Sequence, residues 1–461
     1  MAPHTETDLK NSIYDGIFAN MFATLTGGMF LTGFALYLGM NEFMIGLLAS
    51  MPFIVTLFQL PAASAVLRTG KRKVIAYWAA ALARIIWIPI VLVTLLPFLA
   101  PSIKSAIILG LAFLSYALIS ASYVSWLSWM SDLVPEDIRG SFFGTRNMVC
   151  GAAGMVVLVV FGKLLDHLNG QSWSGLPLGF GITFFSAVML GMCSLYFLNR
   201  ISEPHQSEHP ERYVSFRDGL RLPFTEPNFK RFLLFTFLWS FSVYFASPFF
   251  TLYFLRDLRF NYGFVAVLGM VSAFADLLGM KAWGRISDRV KNKAVIQFAG
   301  WVAIFLPLAW VLAGPQGIVL PVILHVVGGG FWAGITLCMN NLLLNISPQE
   351  NRPLFFSAFG IAGGIGAATA PILAGLLLKS ISGLDLHLFS WNLFPVYVIF
   401  IISTLLRLLS FRFFKDVHEP EELTVGQMVR ILRSVRGLNM ANGFSYLLHP
   451  FIQSAREKQE F

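Results

Sequence analysis

Apolar runs of about 20 residues recur along the chain, separated by short polar stretches, and a run of that length suffices for a helix to cross the hydrocarbon of a bilayer. They fall at 17–38, 44–66, 74–96, 105–130, 141–165 and 179–199, and again at 231–254, 262–283, 294–313, 318–345, 353–379 and 392–411. The pattern predicts twelve membrane-spanning helices in two groups of six and no sheet. Between the groups, 200–230 carries Arg200, Arg212, Arg217, Arg221 and Lys230 with Pro204, Pro210, Pro223 and Pro227. A segment so charged and so rich in proline cannot sit in lipid. The expected division is therefore a polar N-terminal tail over 1–16, a bundle over 17–199, a linker over 200–230, a bundle over 231–411 and a tail over 412–461.

Composition narrows the class further. Of 461 residues 56% are hydrophobic and 12% charged, about half the charge of a soluble domain. A soluble enzyme, a nucleic-acid binder and a disordered chain are all excluded on that ground. The net charge of +9 has another source. With both termini on one side, 25 of the 33 lysines and arginines fall in loops and tails of that side and five on the other. Lys and Arg mark cytoplasmic loops, so the termini and the linker are expected in the cytoplasm. The first 16 residues lack a basic segment followed by an apolar stretch and a cleavage site, and the first span is expected to serve as the insertion signal. In the tail, Val425, Met428, Leu432 and Val435 recur at helical spacing beside Arg430, Arg433 and Arg436. That pattern predicts an amphipathic helix lying on anionic lipid.

The two groups also resemble each other. The loop after the second span reads RTGKRK, Arg68 to Lys73, and the loop after the eighth reads GRISDRVKNK, Gly284 to Lys293. The loop after the fourth, DLVPEDIRGSFFG from Asp132, matches NISPQENRPLFFS from Asn345 after the tenth. Pro135 then faces Pro348, Arg139 faces Arg352 and the Phe pair recurs. Two six-helix units of equal orientation imply a parallel repeat about an axis along the membrane normal. The 6+6 spans, the cytoplasmic linker and the G-x-x-x-D-R-x-x-x-K run at Gly284, Asp288, Arg289 and Lys293 resemble the major facilitator superfamily over about 12–411. The first-half copy keeps Arg68, Gly70, Arg72 and Lys73, with Ala65 near the expected aspartate. The resemblance implies an all-α transporter in which helices one, four, seven and ten line a central cavity.

Charged groups inside spans are costly and mark functional positions. Arg84 lies 11 residues beyond Lys73, about 16 Å along a helix and so near the membrane centre. It is expected to face a carboxylate or a wet cavity, either as a substrate or coupling residue or as a structural pair. Asp276, two turns before Gly284, is a proton carrier or a gate partner. Asp132, Arg139 and Arg146 read as a cytoplasmic gate, with Gly284 allowing close helix approach and Asp288, Arg289 and Arg352 completing the gating set. On the lining implied by the resemblance, Asn20, Thr24, Tyr116, Tyr123, Trp239, Tyr244, His325, Trp332 and Asn340 are the candidate substrate contacts. His325 is either a titrating group or a hydrogen-bonded core histidine, and Trp126, also on the implied lining, fits better as an interface anchor.

No phosphate-binding loop of the G-x-x-x-x-G-K-[ST] form occurs, and no constellation of nucleophile or metal ligands stands out. The expectation is a non-enzymatic chain without cofactor or metal. It would carry a small organic solute, with a coupling ion or without one, by alternating access. It is expected as a monomer in a bacterial inner membrane, with the lipid bilayer and no nucleic acid as partner. A non-transporting assembly factor or receptor on the same scaffold is the alternative.

Overall fold

The computed structural model describes residues 3–168, 171–173, 176–204, 222–313, 317–349, 352–383, 386–388 and 391–419. The expected amphipathic helix of the tail lies outside them.

The described residues are almost wholly helical. The first body runs through α1 (Pro3–Leu25) and α2 (Gly28–Tyr37). Its break falls at Gly28, whose φ of +49° is one that side-chain-bearing residues rarely adopt. A Cβ at Gly28 would touch nothing, so this glycine serves the backbone turn and not tight packing. The second segment divides into α3 (Glu42–Ile54), a 3₁₀ turn (Val55–Phe58) and α4 (Gln59–Thr69). Pro52 and Pro61 lack the amide that a continuous helix would need there. The third body, α5 (Arg72–Ile85) with α6 (Trp87–Thr94), is interrupted just before Pro89 for the same reason. Then follow α7 (Pro101–Leu133), α8 (Arg139–His167) and α9 (Leu178–Asn199).

The second set is α10 (Pro227–Leu252), continued by a π turn (Tyr253–Asp257), α11 (Tyr262–Val290), α12 (Asn292–Val311), α13 (Val319–Ile346), α14 (Arg352–Ile381) and α15 (Val396–Phe414). Two small hairpins cap loops: β1 (Ser172–Trp173) with β2 (Leu176–Pro177), and β3 (Leu386–Leu388) with β4 (Trp391–Leu393). Among the described residues eleven helical bodies are long and apolar enough to cross a membrane, with the broken segment 42–69 outside that count.

Two boundaries differ from the sequence reading. Residues 3–16, read as a polar tail, form the start of α1. Asp8 accepts hydrogen bonds from the backbone amide and the hydroxyl of Ser202, and Leu9 packs with Val134 and Phe142. These tertiary contacts override the polar composition. The seventh helix likewise starts at Pro227, four residues before its apolar run, because proline is well placed at the first helical turn.

Packing repeats between the two sets. α1 lies against α8 and α9 and α5 against α7 and α9, while α10 lies against α14 and α15 and α12 against α13 and α15. The repeat reaches individual atoms. Glu203 accepts from the backbone amide of Lys73 at 3.1 Å, and Glu419 accepts from that of Lys293 at 2.7 Å. Each carboxylate thus caps the start of a helix, where free amides and the helix dipole favour an anion. Beside the first cap, Arg72 pairs with Asp132 at 2.5 Å. Beside the second, Asn292 and Asn345 both donate to Glu419, at 2.7 and 3.1 Å.

The first and second sets meet through α3 against α14 and α8 against α11. Small residues let the backbones touch: a Cβ at Gly375 would stand 2.6 Å from the carbonyl oxygen of Glu42, and one at Gly162 would stand 3.0 Å from that of Tyr262. Polar links lie at the end away from the N-terminus. Arg256 pairs with Glu42 at 2.7 Å, and Asp166 accepts from the backbone amides of Tyr262 and Gly263, each at 2.7 Å.

Candidate functional site

A cavity of about 180 Å³ opens among α1, α5, α7, α8 and α9. Asp15, Ala19, Phe22 and Ala23 line it from α1, and Ile119, Ser122, Tyr123 and Trp126 from α7. Both quartets follow helical spacing, so each presents one continuous face. Ala80 and Arg84 come from α5, Arg146 from α8 and Leu198 from α9. The small side chains at Ala19, Ala23 and Ala80 leave the space.

Its polar end holds one carboxylate and two guanidinium groups. Arg84 donates through Nη2 to the Ser194 hydroxyl at 2.8 Å, and that hydroxyl donates to Asp15 Oδ1 at 2.5 Å. Arg84 is 6% exposed, and its Nη1 has no hydrogen-bond partner. Arg146 donates through Nε to the Ser12 carbonyl at 3.1 Å. Its guanidinium lies 4.3 Å from the centre of the Trp126 ring, a cation–π contact. It approaches Asp15 only to 3.9 Å, outside hydrogen-bond range.

Two glycines make room for these arginines. A Cβ at Gly191 would stand 2.7 Å from Arg84 Cδ, and one at Gly16 would stand 2.6 Å from Arg146 Nη2. They are the sequence signal that reading the charged residues alone missed, together with Ser122 and Ser194. Trp126, read as an interface anchor, instead forms a cavity wall beneath Arg146.

The other candidate substrate contacts are scattered. Tyr123 lines the same cavity. Asn20 donates to the Cys150 carbonyl at 2.6 Å, joining α1 to α8, and Thr24 donates to the Asn20 carbonyl within its own helix. Tyr116 points its hydroxyl at the Thr26 carbonyl. Trp239 packs against Trp332 at 5.7 Å and Phe411 at 5.2 Å. Tyr244 meets Phe53 across the two sets. His325 bonds through Nδ1 to the Pro321 carbonyl at 2.9 Å and lies against Phe254 and Trp310, which is the hydrogen-bonded core arrangement. Asn340 is exposed.

The expected gate is divided in this structure. Asp132 does not pair with Arg139 or Arg146, because Arg72, at the start of α5, occupies it. Arg139 turns to the Ser131 carbonyl at 2.8 Å and lies 3.8 Å from Glu136, and Arg146 belongs to the cavity. Asp288 and Arg289 are exposed, and Asp276 is partly buried. Arg352 opens α14. Gly284 permits no special approach, since a Cβ there would meet only Leu337 at 3.7 Å. The close crossing of α11 and α13 lies higher, where a Cβ at Gly279 would stand 2.7 Å from the Gly330 carbonyl.

A second buried arginine has a related setting. Arg407 on α15 donates to the Ala303 carbonyl of α12 at 2.5 Å and lies 6.0 Å from the Trp332 ring. In the repeat α12 and α15 correspond to α5 and α9, so the arginine enters the matching crevice from the opposite helix.

The sequence model of the Major Facilitator Superfamily matches residues 16–342. No curated protein matches the chain significantly. Among solved structures, a bacterial homolog of the human lysosomal transporter Spinster, inward-facing and unoccupied, superposes with a TM-score of 0.64 at 16% identity, covering 91% of this chain and 100% of that one. The nucleoside transporter NupG superposes with a TM-score of 0.65 at 14% identity, covering 90% and 99%. The inward-open xylose transporter XylE from E. coli gives 0.57 at 13% identity, covering 93% and 98%.

Proposed function

Because the chain belongs to the Major Facilitator Superfamily, we propose that it is a secondary transporter, not an enzyme, which moves a small organic solute by alternating access. In this reading 42–69 is the twelfth span despite its break. The bundles 17–199 and 231–411 are the rocking halves, and both termini face the cytoplasm of a bacterium in a monomeric inner-membrane protein. The bias of Lys and Arg toward the loops on the terminal side supports that orientation.

One observation carries the proposal: a polar cavity lies in the first half, while the Glu42–Arg256 and Asp166 links tie the halves together at the far end. With the termini inside, this is an inward-open arrangement, and the cavity faces the cytoplasm. Outward opening requires those links to part, with the α3–α14 and α8–α11 contacts opening at that end and pivoting nearer the middle of the helices. The matching pairs of the repeat make the two pivots equivalent, as a rocking motion requires. Asp276, Asp288, Arg289 and Arg352 belong, on this account, to the cytoplasmic closure of the outward-open state. Asp288 is then a gate residue that is idle in the arrangement seen here, which fits its exposure.

Purified protein in proteoliposomes tests the reading. Saturable uptake of a solute, accelerated by the same unlabelled solute inside the vesicle, is expected. Specific binding with no flux above protein-free vesicles would instead mark a receptor.

A further inference from the structure

The first-half cavity is not electrically balanced. Arg84 and Arg146 bring two positive charges against one from Asp15, and Asp15 is already held by the Ser194 hydroxyl. Arg84 is buried at mid-span and its Nη1 amino group has no acceptor. Such a group is expensive in a low-dielectric setting, and a buried charge persists only where a partner meets it in some state of the molecule. Arg146, 3.9 Å from Asp15, likewise has no charge-assisted hydrogen bond to it.

We propose that this cavity takes an organic monoanion, a carboxylate on an aromatic or otherwise apolar body, with Arg84 and Arg146 receiving the carboxylate. The assignment deepens the transport reading and rests on it. One negative charge brings the two cations and Asp15 to neutrality, whereas a neutral solute leaves the excess charge and a dianion overshoots it. The fork of a guanidinium matches the two oxygens of a carboxylate. Phe22, Tyr123 and Trp126 supply the apolar walls. Tyr123 and Trp126 lie stacked, with ring centres 6.2 Å apart. The space also limits the solute. A cavity of about 150 Å³ is enough to take up benzene, so the space of about 180 Å³ here accepts a single ring or a short chain.

Asp15 competes for the same arginines, which gives the proposal a sign. Removing its charge should strengthen anion binding, and removing either arginine should weaken it. Affinities are measured on the full-length protein in detergent for matched pairs: benzoate with benzamide, phenylacetate with phenylacetamide, and indole-3-acetate with indole-3-acetamide. At least one carboxylate is expected to bind tenfold or more tightly than its amide. That preference should fall below threefold in Arg84→Lys, which keeps the charge and loses the fork, and in Arg146→Gln at the partly exposed position. Asp15→Asn should raise the preference. Because Arg84 is buried, Arg84→Met is made together with Asp15→Asn, so that folding does not decide the outcome.

Carboxylates binding no better than their amides in the wild type would overturn the proposal, as would a preference unchanged in both Arg84→Lys and Arg146→Gln. The transport reading is judged separately. Flux of a neutral solute without anion preference sinks the anion site alone. Anion preference without flux of the bound anion supports the site and sinks transport.

Discussion

Replacing Glu42 by glutamine should swing the protein toward the outward-open arrangement. Glu42 is largely buried, and its carboxylate receives Arg256 from the opposite half at 2.7 Å. Arg256 itself is also held by Asp257 at 2.8 Å, so Glu42→Gln does not strand a buried cation. Arg256→Gln would strand Asp257, which makes Glu42 the cleaner choice. A hydrogen bond between charged groups contributes about 1.5–3 kcal/mol net, and each 1.4 kcal/mol is about a factor of ten. The amide retains a weaker bond, so the inward-to-outward ratio should fall by about 10- to 100-fold. Glu42 also opens α3 and favours that helix through its dipole by roughly 0.3–1 kcal/mol. That contribution is common to both states and cancels. The assay uses a variant with Cys150, Cys193 and Cys338 replaced by serine and a single reporter, Ala266→Cys. Ala266 is fully buried on α11 beside Gly162 of α8, where outward opening would expose it. Labelling by an impermeant maleimide from outside should rise by at least tenfold when Glu42→Gln is added. A change of less than twofold would refute the argument that this pair holds the outer side shut.

Gly375→Val should lower the population of this arrangement, because even a Cβ would stand 2.6 Å from the Glu42 carbonyl; the same Ala266→Cys labelling reads it. Gly191→Leu should displace Arg84, which lies within 3 Å of any added Cβ, and abolish uptake with normal expression and monodispersity. Glu419→Ala should lower the melting temperature by several degrees. It removes the carboxylate to which the Lys293 amide and the Asn292 and Asn345 side chains donate, and each buried hydrogen bond lost costs about 1–3 kcal/mol. Asp288→Asn should decrease external labelling of Ala266→Cys if Asp288 closes the cytoplasmic side in the outward-open state, and equal labelling would reduce that residue to a topology signal.

The long spans were legible because length and hydrophobicity alone specify them. Their breaks were less so. Pro52, Pro61 and Pro89 stood in view but within continuous apolar runs, and no neighbouring residue announces the positive φ of Gly28. Residues 3–16 carry no apolar run, and their helix depends on Ser202 and on Val134, which are distant in sequence. At the site, Arg84 stood out through the cost of a charge at mid-span. Asp15 stood at a span end, where water or arginines can reach a carboxylate, and its burial among α1, α5 and α9 shows only in the fold. The pairing of Arg146 was obscured by the nearer Asp132. What separates them is Arg72, 60 residues away in the chain from Asp132, and no local spacing reveals that competition. The capping roles of Glu203 and Glu419 were hidden for the same reason, since both lie in polar segments beyond the last helix of a half.

The most direct test of the account is uptake into proteoliposomes of whichever carboxylate binds the purified protein, with wild type, Arg84→Lys and Glu42→Gln reconstituted side by side. The account predicts saturable uptake by the wild type that is accelerated by the same carboxylate loaded inside, loss of most of that uptake in Arg84→Lys, and altered uptake in Glu42→Gln without loss of binding. Tight binding by all three proteins with no uptake above empty vesicles would contradict it.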